Sequence, residues 1–443
     1  MKFIRSLYID NRLYLLLLAN AVVFVFAYFF PVLYAIGEII AGGIIALVVT
    51  DMILLYSQRQ GVTASRDLPE KFSNGDQNKV NIHVKNNYRF TIHSGVIDEI
   101  PAQFQIRDFY ISTVSKSREE KVFSYSLRPL KRGEYRFGKL KIYASTILKI
   151  FSRRFVFCEP EMIPVYPSFL QMRKYELLAI SDRLTEAGIK KIRSIGRNLE
   201  FDQIRKYNTD DDYRSINWKA TARKGELMVN QYEQERSQQV FSLIDMGRVM
   251  KMPFEGMTLL DYAINASLVI SNIAVLKHDK AGLVTFTNKI NTFIQADRKK
   301  NQIPRILEIL YNQETNFVES NYELLYITVK RNINQRSLLF LYTNFESMTS
   351  LQRQLSFLKL LTDYHLLVVI FFVNTEIQGL LNSEILTLED VYIKTIAEKT
   401  VLEKRLIAKE LNKNGIHCIL TEPANLSVNT INKYLELKSL GLI

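Results

Sequence analysis

The sequence predicts a multi-domain, membrane-anchored chain. A transmembrane helical hairpin occupies 1–58, a β-sandwich-like middle domain 59–167, and an α/β domain 240–443, with a charged segment at 168–239 leading into the last. Three observations carry this reading: two apolar runs at the start, period-two alternation after them, and alternating strand-like and helix-like runs beyond residue 240. At 443 residues the chain exceeds one ordinary core, and 47% hydrophobic against 23% charged residues is the profile of folded domains rather than of disorder.

Leu13–Phe30 reads LYLLLLANAVVFVFAYFF, without a charge. About 18 residues at roughly 1.5 Å each nearly cross a hydrocarbon core. Pro31 should break that helix. A second apolar run, Val32–Tyr56, carries Glu38 and Asp51 toward its ends, where each should reach the interface, and Gly42 and Gly43, which should let the two helices approach closely. A buried hairpin in a soluble core is the competing reading. A cleaved signal peptide fits less well, since the run is long, a second run follows and no small-residue cleavage site stands out. Lys2, Arg5 and Arg12 precede the first run, Arg59 and Arg66 follow the second, and the turn at Pro31 has no cation. Both ends, and everything after residue 60, are therefore expected on the cytoplasmic side of a bacterial inner membrane.

The net charge of +13 is spread along the chain with acids between the cations. A nucleic-acid binder would show a concentrated basic run, so the lipid bilayer, with its anionic leaflet, is the simpler partner and nucleic acid is not expected. Cys158 and Cys418 stand far apart with no CxxC, which argues against a disulfide framework and against a zinc site.

Between Val62 and Pro167, VNIHVKN, AQFQIRDF, KVFSYSL, GEYRFGKLKIYA and RRFVFCE alternate apolar and polar residues, as strands of an antiparallel sandwich do. Asn74-Gly75-Asp76 and Arg132-Gly133-Glu134 read as turns. No catalytic constellation stands in this stretch.

The segment 196–235 interleaves Glu200, Asp202, Arg205, Asp210, Asp211, Asp212, Arg214, Lys219 and Arg223 around Trp218, the one tryptophan. Such a run forms either a bidentate Arg–carboxylate network that fixes an irregular segment, a solvated charged loop, or an acidic catalytic site. Its spacing resembles the signature of the family known as domain of unknown function 58. The matching positions are Gly196, Glu200-Phe201, Arg205, Tyr207, Asp211-Asp212, Arg214, Ile216-Asn217-Trp218 and Ala222-Arg223, followed by Tyr232, Glu233 and Glu235. Asp210 departs from the usual glycine, which bears on the local turn. The upstream stretch LRPLKRGEYRFGKLKIYASTILKIFSRR and the tripeptide VYP at 165–167 are also similar to the family.

Beyond residue 240 the reading is VFSLIDM as a strand, Thr258–His278 as a helix capped by Thr258, AGLVTFT and NTFIQA as strands, and IPRILEILY as a helix. SLLFLYTN, HLLVVIFFV and IHCIL follow as strands, with helices at LQRQLSFLKLL and Thr395–Asn412 between them. This alternation gives a largely parallel sheet covered on both faces, with its ligand edge at the strand C-termini. Asp245, Gly247 and Thr343-Asn344 fall on that edge.

The family resemblance implies a von Willebrand A-like (Rossmann-type) domain here. Metal-binding members carry Asp-x-Ser-x-Ser, a distant Thr and a later Asp, an oxygen set suited to Mg²⁺. The counterparts are Asp245, Gly247 and Val249, then Thr315 and Asn344, a degenerate set from which neither metal nor cofactor binding is expected. HExxH, GxSxG, Walker and GxGxxG motifs are absent, and His365 and His417 read as structural. The resemblance also implies a partner, a MoxR-type AAA+ ATPase, in assembly or maturation of other proteins. The expected function is thus a membrane-anchored, non-enzymatic interaction scaffold. The alternative is a membrane-bound hydrolase or glycan-processing enzyme using the acids of 196–235.

Overall fold

The computed structural model describes the chain apart from residues 1–5, 181–188, 190–199, 209–210, 212, 234–236, 316, 374–376, 378, 380, 382–386 and 443. The chain divides into two compact units, Met1–Tyr166 and Pro167–Ile443.

The first unit opens with a short strand, β1 (Leu7–Ile9), then two apolar helices, α1 (Asn11–Ala27) and α2 (Val32–Tyr56). Pro31 stands at the N-cap of α2, so the proline separates the helices as its missing N–H requires. Most apolar side chains of both helices are exposed, and α2 is long and apolar enough to cross a membrane, while α1 is a shorter apolar helix. The close approach is at Gly37 rather than at Gly42 and Gly43. A Cβ on Gly37 would lie 2.9 Å from the Phe24 ring, whereas the space beside the other two is open. The charge-free stretch pairs where an aromatic happens to face a glycine, which composition alone does not locate.

Strands follow at β2 (Val62–Asp67), β3 (Phe72–Ser73), β4 (Asn78–Asn86), β5 (Ile92–Asp98), β6 (Ile111–Ser115), β7 (Glu120–Leu127), β8 (Gly133–Phe137), β9 (Leu140–Ser145), β10 (Phe151–Phe157) and β11 (Glu161–Tyr166). They form sheets of order β1-β10-β9-β5-β6, β2-β4-β7 and β3-β11-β8. Val62, Ile82 and Val84 from one sheet meet Ile92, Val96 and Ile142 from another, the period-two faces burying each other. Two expectations are corrected. AQFQIRDF holds a single 3-10 turn, Ala102–Phe104, after Pro101, and the strand comes later at Ile111–Ser115. GEYRFGKLKIYA is two strands broken at Gly138.

The hairpin and the strands are one structure. β1 pairs antiparallel with β10, Tyr8 opposite Ser152, so the chain before α1 and the chain after α2 join the same sheet. Asp51 is fully buried, accepting from the Thr146 hydroxyl and, at 3.0 Å, from the Phe151 N–H. Arg153 donates to the carbonyls of Leu55, Gln58 and Arg59 at 2.7–2.9 Å, capping the last turn of α2. Asp51 therefore docks the helix onto the strands instead of reaching a headgroup interface. Arg66, counted among the cations that follow the second run, has a side chain 1% exposed and paired with Asp98 at 2.6 Å beneath the Phe137 ring.

The second unit contains α3 (Phe169–Ile180), β12 (Glu200–Lys206), α4 (Trp218–Lys224), β13 (Met228–Glu233), β14 (Gln239–Asp245), β15 (Pro253–Phe254), β16 (Met257–Thr258) and α5 (Leu259–Leu276). It continues through β17 (Lys280–Phe286), β18 (Ile290–Asp297), α6 (Gln302–Tyr311), α7 (Tyr322–Asn332), β19 (Leu338–Tyr342), α8 (Met348–Thr362) and β20 (Leu366–Phe372). It ends with α9 (Leu388–Lys413), β21 (His417–Thr421) and α10 (Leu426–Ser439). Six strands form one sheet, ordered β18-β17-β14-β19-β20-β21, parallel except for β18. Alternate residues face opposite layers. Val240 and Ile244 pack with α5 and α10, while Phe241 and Leu243 pack with α7 and α8. α5 also passes for a membrane span by length and composition, but it is buried in this core, and its Thr258–Asp261 capping box fixes its start.

Candidate functional site

Strand order reverses between β14 and β19, so the connections leaving their C-terminal ends diverge and open a crevice there. Asp245 ends β14 and Thr343-Asn344 follow β19 at this point. The Asp245 carboxylate is 1% exposed. Its Oδ1 accepts from the Gly247 N–H at 2.8 Å and from the Ser320 hydroxyl. Its Oδ2 accepts from the Thr343 hydroxyl at 2.7 Å, with the Tyr322 hydroxyl at 3.1 Å. With Thr343's proton committed to Asp245, the Tyr322 proton is shared between Asp245 and Thr343 Oγ1, 2.7 Å away.

A carboxylate offers about four lone-pair sites, and one N–H and three hydroxyls converge on them. Burial pushes the Asp245 carboxyl up, and the Ser320, Gly247, Thr343 and Tyr322 donors pull it back. Burial and the Asp245 charge raise the Tyr322 hydroxyl well above its ordinary range, so it stays a donor.

The local sequence explains how these groups arrive. Asn321 caps α7 by accepting from the Leu324 N–H at 2.9 Å, and its own N–H donates to the Thr287 carbonyl. That cap fixes Ser320 on one side and Tyr322 on the other. The Arg248 N–H donates to the Val318 carbonyl at 3.1 Å, tying the two connections together. Ser320 occupies the space a side chain at 247 would need, since a Cβ on Gly247 would overlap its hydroxyl.

Asn344 is buried beside this cage, and α9 sends Lys404 to it. The ammonium donates to Asn344 Oδ1 at 2.5 Å and to the Phe345 carbonyl at 2.6 Å. Burial lowers the Lys404 amine to about 8, with Glu346 acting in the other direction. A polar cavity of about 180 Å³ lies over Asp245, rimmed by Arg248, Glu319 and Arg353. Next to it runs an apolar groove of about 410 Å³ walled by Met252, Phe254, Phe372, Val401 and Leu420, with Asn344, Glu346 and Lys404 at the seam.

The charged segment forms a separate two-stranded hairpin of β12 and β13 with α4 at its tip. Arg205 grips Asp211 bidentately at 2.5 and 2.9 Å. The Asn208 N–H and Arg205 hold that carboxyl below the usual range. Asn217 caps α4 by accepting from the Ala220 N–H at 3.0 Å and donates to Asn230 at 2.7 Å. Gly225 ends the helix at φ 69°, the left-handed conformation glycine adopts freely. Trp218 and Tyr213 are 68% and 67% exposed.

Similarity to known proteins bears on this same stretch. Residues 203–390 match the family model described as "Protein of unknown function DUF58". Residues 203–390 are a DUF58 region. The DUF58 match begins within β12, takes in Asp245, Ser320, Tyr322, Thr343 and Asn344, and stops before Lys404. A Bacillus subtilis (strain 168) relative, "Uncharacterized protein YeaD", is 28% identical over 173 residues, 38% of this chain, and the match spans only 40% of that relative's length. Among solved structures, conserved hypothetical protein BatB from Bacteroides thetaiotaomicron is 10% identical with a TM-score of 0.30, covering 46% of this chain and 100% of that one. The PapD-like domain of human CEP192 is 12% identical with a TM-score of 0.20, covering 25% and 87%.

Of the DUF58 signature positions, Gly196, Asp210, Asp212 and Glu235 lie outside the described residues. Glu200 and Phe201 are on β12, Tyr232 and Glu233 on β13. Tyr207 follows β12, its N–H donating to the Leu227 carbonyl at 2.9 Å. Arg214 stacks beside Tyr213, and Arg223 lies exposed in the last turn of α4. At the strand edge Asp245, Gly247 and Asn344 stand together, and Val249 lines the polar cavity. On the connection that carries Thr315, the Ser320 hydroxyl reaches Asp245, next to the cap at Asn321. Tyr322 and Lys404 were missed. The Asn-x-x-Leu start of an amphipathic run at 321–332 signals the cap, while nothing local marks a lysine on a helix some 60 residues beyond its partner Asn344.

Proposed function

We propose that this protein is a membrane-anchored, non-enzymatic interaction scaffold whose α/β unit is a von Willebrand A-like domain working without a metal ion. The closed hydrogen-bond shell around Asp245 carries this reading. Mg²⁺ asks for about six oxygen ligands, and a carboxylate already filled by one N–H and three hydroxyls has no lone pair to give without dismantling the cage. Gly247 and Val249 offer no hydroxyl, and Lys404 brings a covalently attached cation to Asn344, at the position of the family's later acid. The strand order and the site at the reversal support the von Willebrand A-like assignment, and the facing sheets of the first unit support a sandwich-like spacer.

α1 and α2 form the anchor. The pairing of β1 with β10 supports a hairpin whose two outer ends lie on one side, and the cation distribution makes that side the cytoplasm. The partner is a MoxR-type AAA+ ATPase, engaged through exposed Trp218 and Tyr213, residue types that dominate binding hot spots. A hydrolase using the acids of the hairpin has less support. Asp211 is clamped by Arg205 and held ionised, whereas a general acid needs a raised pKa and a free proton.

Affinity capture of the full-length protein from detergent-solubilised membranes, read by mass spectrometry, tests the reading. An AAA+ ATPase should co-purify with the wild type and be lost in Trp218→Ala/Tyr213→Ala at unchanged melting temperature. Capture that never contains such an ATPase overturns the partner. Hydrolytic turnover that disappears in Asp211→Ala would overturn the scaffold.

A further inference from the structure

Where α1 emerges from the strands, the outer face of the β10-β9-β5-β6 sheet and the first turn of the helix enclose a polar cavity of about 370 Å³. Arg12, from the first turn of α1, and Lys149, from the turn joining β9 to β10, both line it, with His93 on its floor. Tyr110 and Tyr143 form its walls. Tyr110 lies over Gly95 so closely that a Cβ there would overlap the ring.

Arg12 donates to the Leu148 carbonyl at 3.3 Å, and Lys149 sits at φ 52°, a left-handed conformation that a lysine seldom adopts without surrounding constraint. Burial, then Lys149, then Arg12 lower the His93 imidazole, and all three residues line the one cavity. The acid in the cavity, Asp10, accepts from the Ser152 hydroxyl at 2.8 Å.

Leu15 to Leu18, one turn further along α1, are exposed, and so is Ile147 beside Lys149. The cup thus opens where apolar surface begins, at the depth of a leaflet's phosphate layer if α1 enters a bilayer.

We infer that this juxtamembrane cup binds a phosphate anion through Arg12 and Lys149, supplied by the headgroup of an anionic phospholipid. Arg offers a donor fork and Lys a point charge to phosphate oxygens, and the tyrosine walls restrict the cup to a small headgroup. The inference goes beyond the scaffold reading and is independent of its partner. It gives the anchor a lipid preference and fixes the height of the strands above the membrane.

The test is native mass spectrometry of the full-length protein in detergent, titrated with short-chain phosphatidylglycerol or phosphatidylcholine. The wild type should retain phosphatidylglycerol roughly tenfold more than phosphatidylcholine, a difference typical of one charge-assisted contact pair. Arg12→Gln/Lys149→Asn should abolish that preference. Lys149→Asn alone, which tolerates the left-handed backbone and keeps the Arg12–Leu148 bond, should reduce it about threefold. Lys79→Gln/Lys85→Gln, the same charge loss on β4, should leave it intact. Inorganic phosphate or glycerol phosphate at millimolar concentration identifies the source. Displacement of the lipid assigns the cup to a soluble phosphate, and no displacement assigns it to the leaflet. Equal retention of both lipids by the wild type, or an equal loss in the β4 control, overturns the site.

Discussion

Ser320 donates its hydroxyl to Asp245 from the space that Gly247 leaves empty. The hydroxyl expected two residues after the aspartate is delivered instead from a distant connection, and the two positions are mutually exclusive. Gly247→Ser is therefore expected to destabilise the α/β unit by about 1–3 kcal/mol through overpacking. Gly247→Ser/Ser320→Gly should recover at least about 1 kcal/mol of that loss, because the new hydroxyl inherits the vacated position. Chemical denaturation of the four proteins gives the coupling directly, and strictly additive losses would show that the two positions do not compete.

Asp51 ties α2 to the turn between β9 and β10. Asp51→Ala leaves the Thr146 hydroxyl and the Phe151 N–H buried without their acceptor, at a cost of about 1–3 kcal/mol. Limited proteolysis of the detergent-solubilised protein should show faster cleavage of the segment after Tyr56 in this variant than in Glu38→Ala, whose site on the same helix is exposed.

The buried amine of Lys404 makes the stability of its unit depend on pH. Its folded pKa of about 8 lies below the value of about 10.4 for an unfolded lysine, so the unfolded chain binds more protons between them. Stability should be lowest below about pH 8 and rise as pH increases toward about 10, by an amount on the order of 2–3 kcal/mol. Denaturation at the two ends of that window should show the rise in the wild type and its loss in Lys404→Met. A slope retained in the variant would assign the titration elsewhere.

The exposed ring of Trp218 separates docking from stability. Trp218→Ala should change melting by less than about 0.5 kcal/mol. Asn217→Ala, which removes the cap of α4, should cost about 1 kcal/mol. A loss of several kcal/mol at Trp218 would mean that the ring is buried in solution.

Much of the fold was legible because it follows from local pattern. The hairpin shows in two long apolar runs, the strands in period two, and α5 in a capping box written within four residues. The failures have physical causes. AQFQIRDF alternates correctly, but Pro101 and the turn after it take the backbone away from a ladder. Arg66 reads as a membrane-flanking cation, yet it is drawn inward by Asp98, a partner on another strand. At the candidate site, Asp245 and Asn344 could be placed because strand ends are predictable. Ser320, Tyr322 and Lys404 could not, since their approach depends on how three separate connections pack over the sheet edge.

Magnesium calorimetry on the purified full-length protein in detergent tests the central claim, a closed metal-free site at Asp245. No heat of binding is expected at micromolar Mg²⁺, and any response should be confined to the millimolar range and be unchanged in Asp245→Asn. A micromolar binding isotherm that disappears in Asp245→Asn would contradict the account, because the cage would then open to admit a cation.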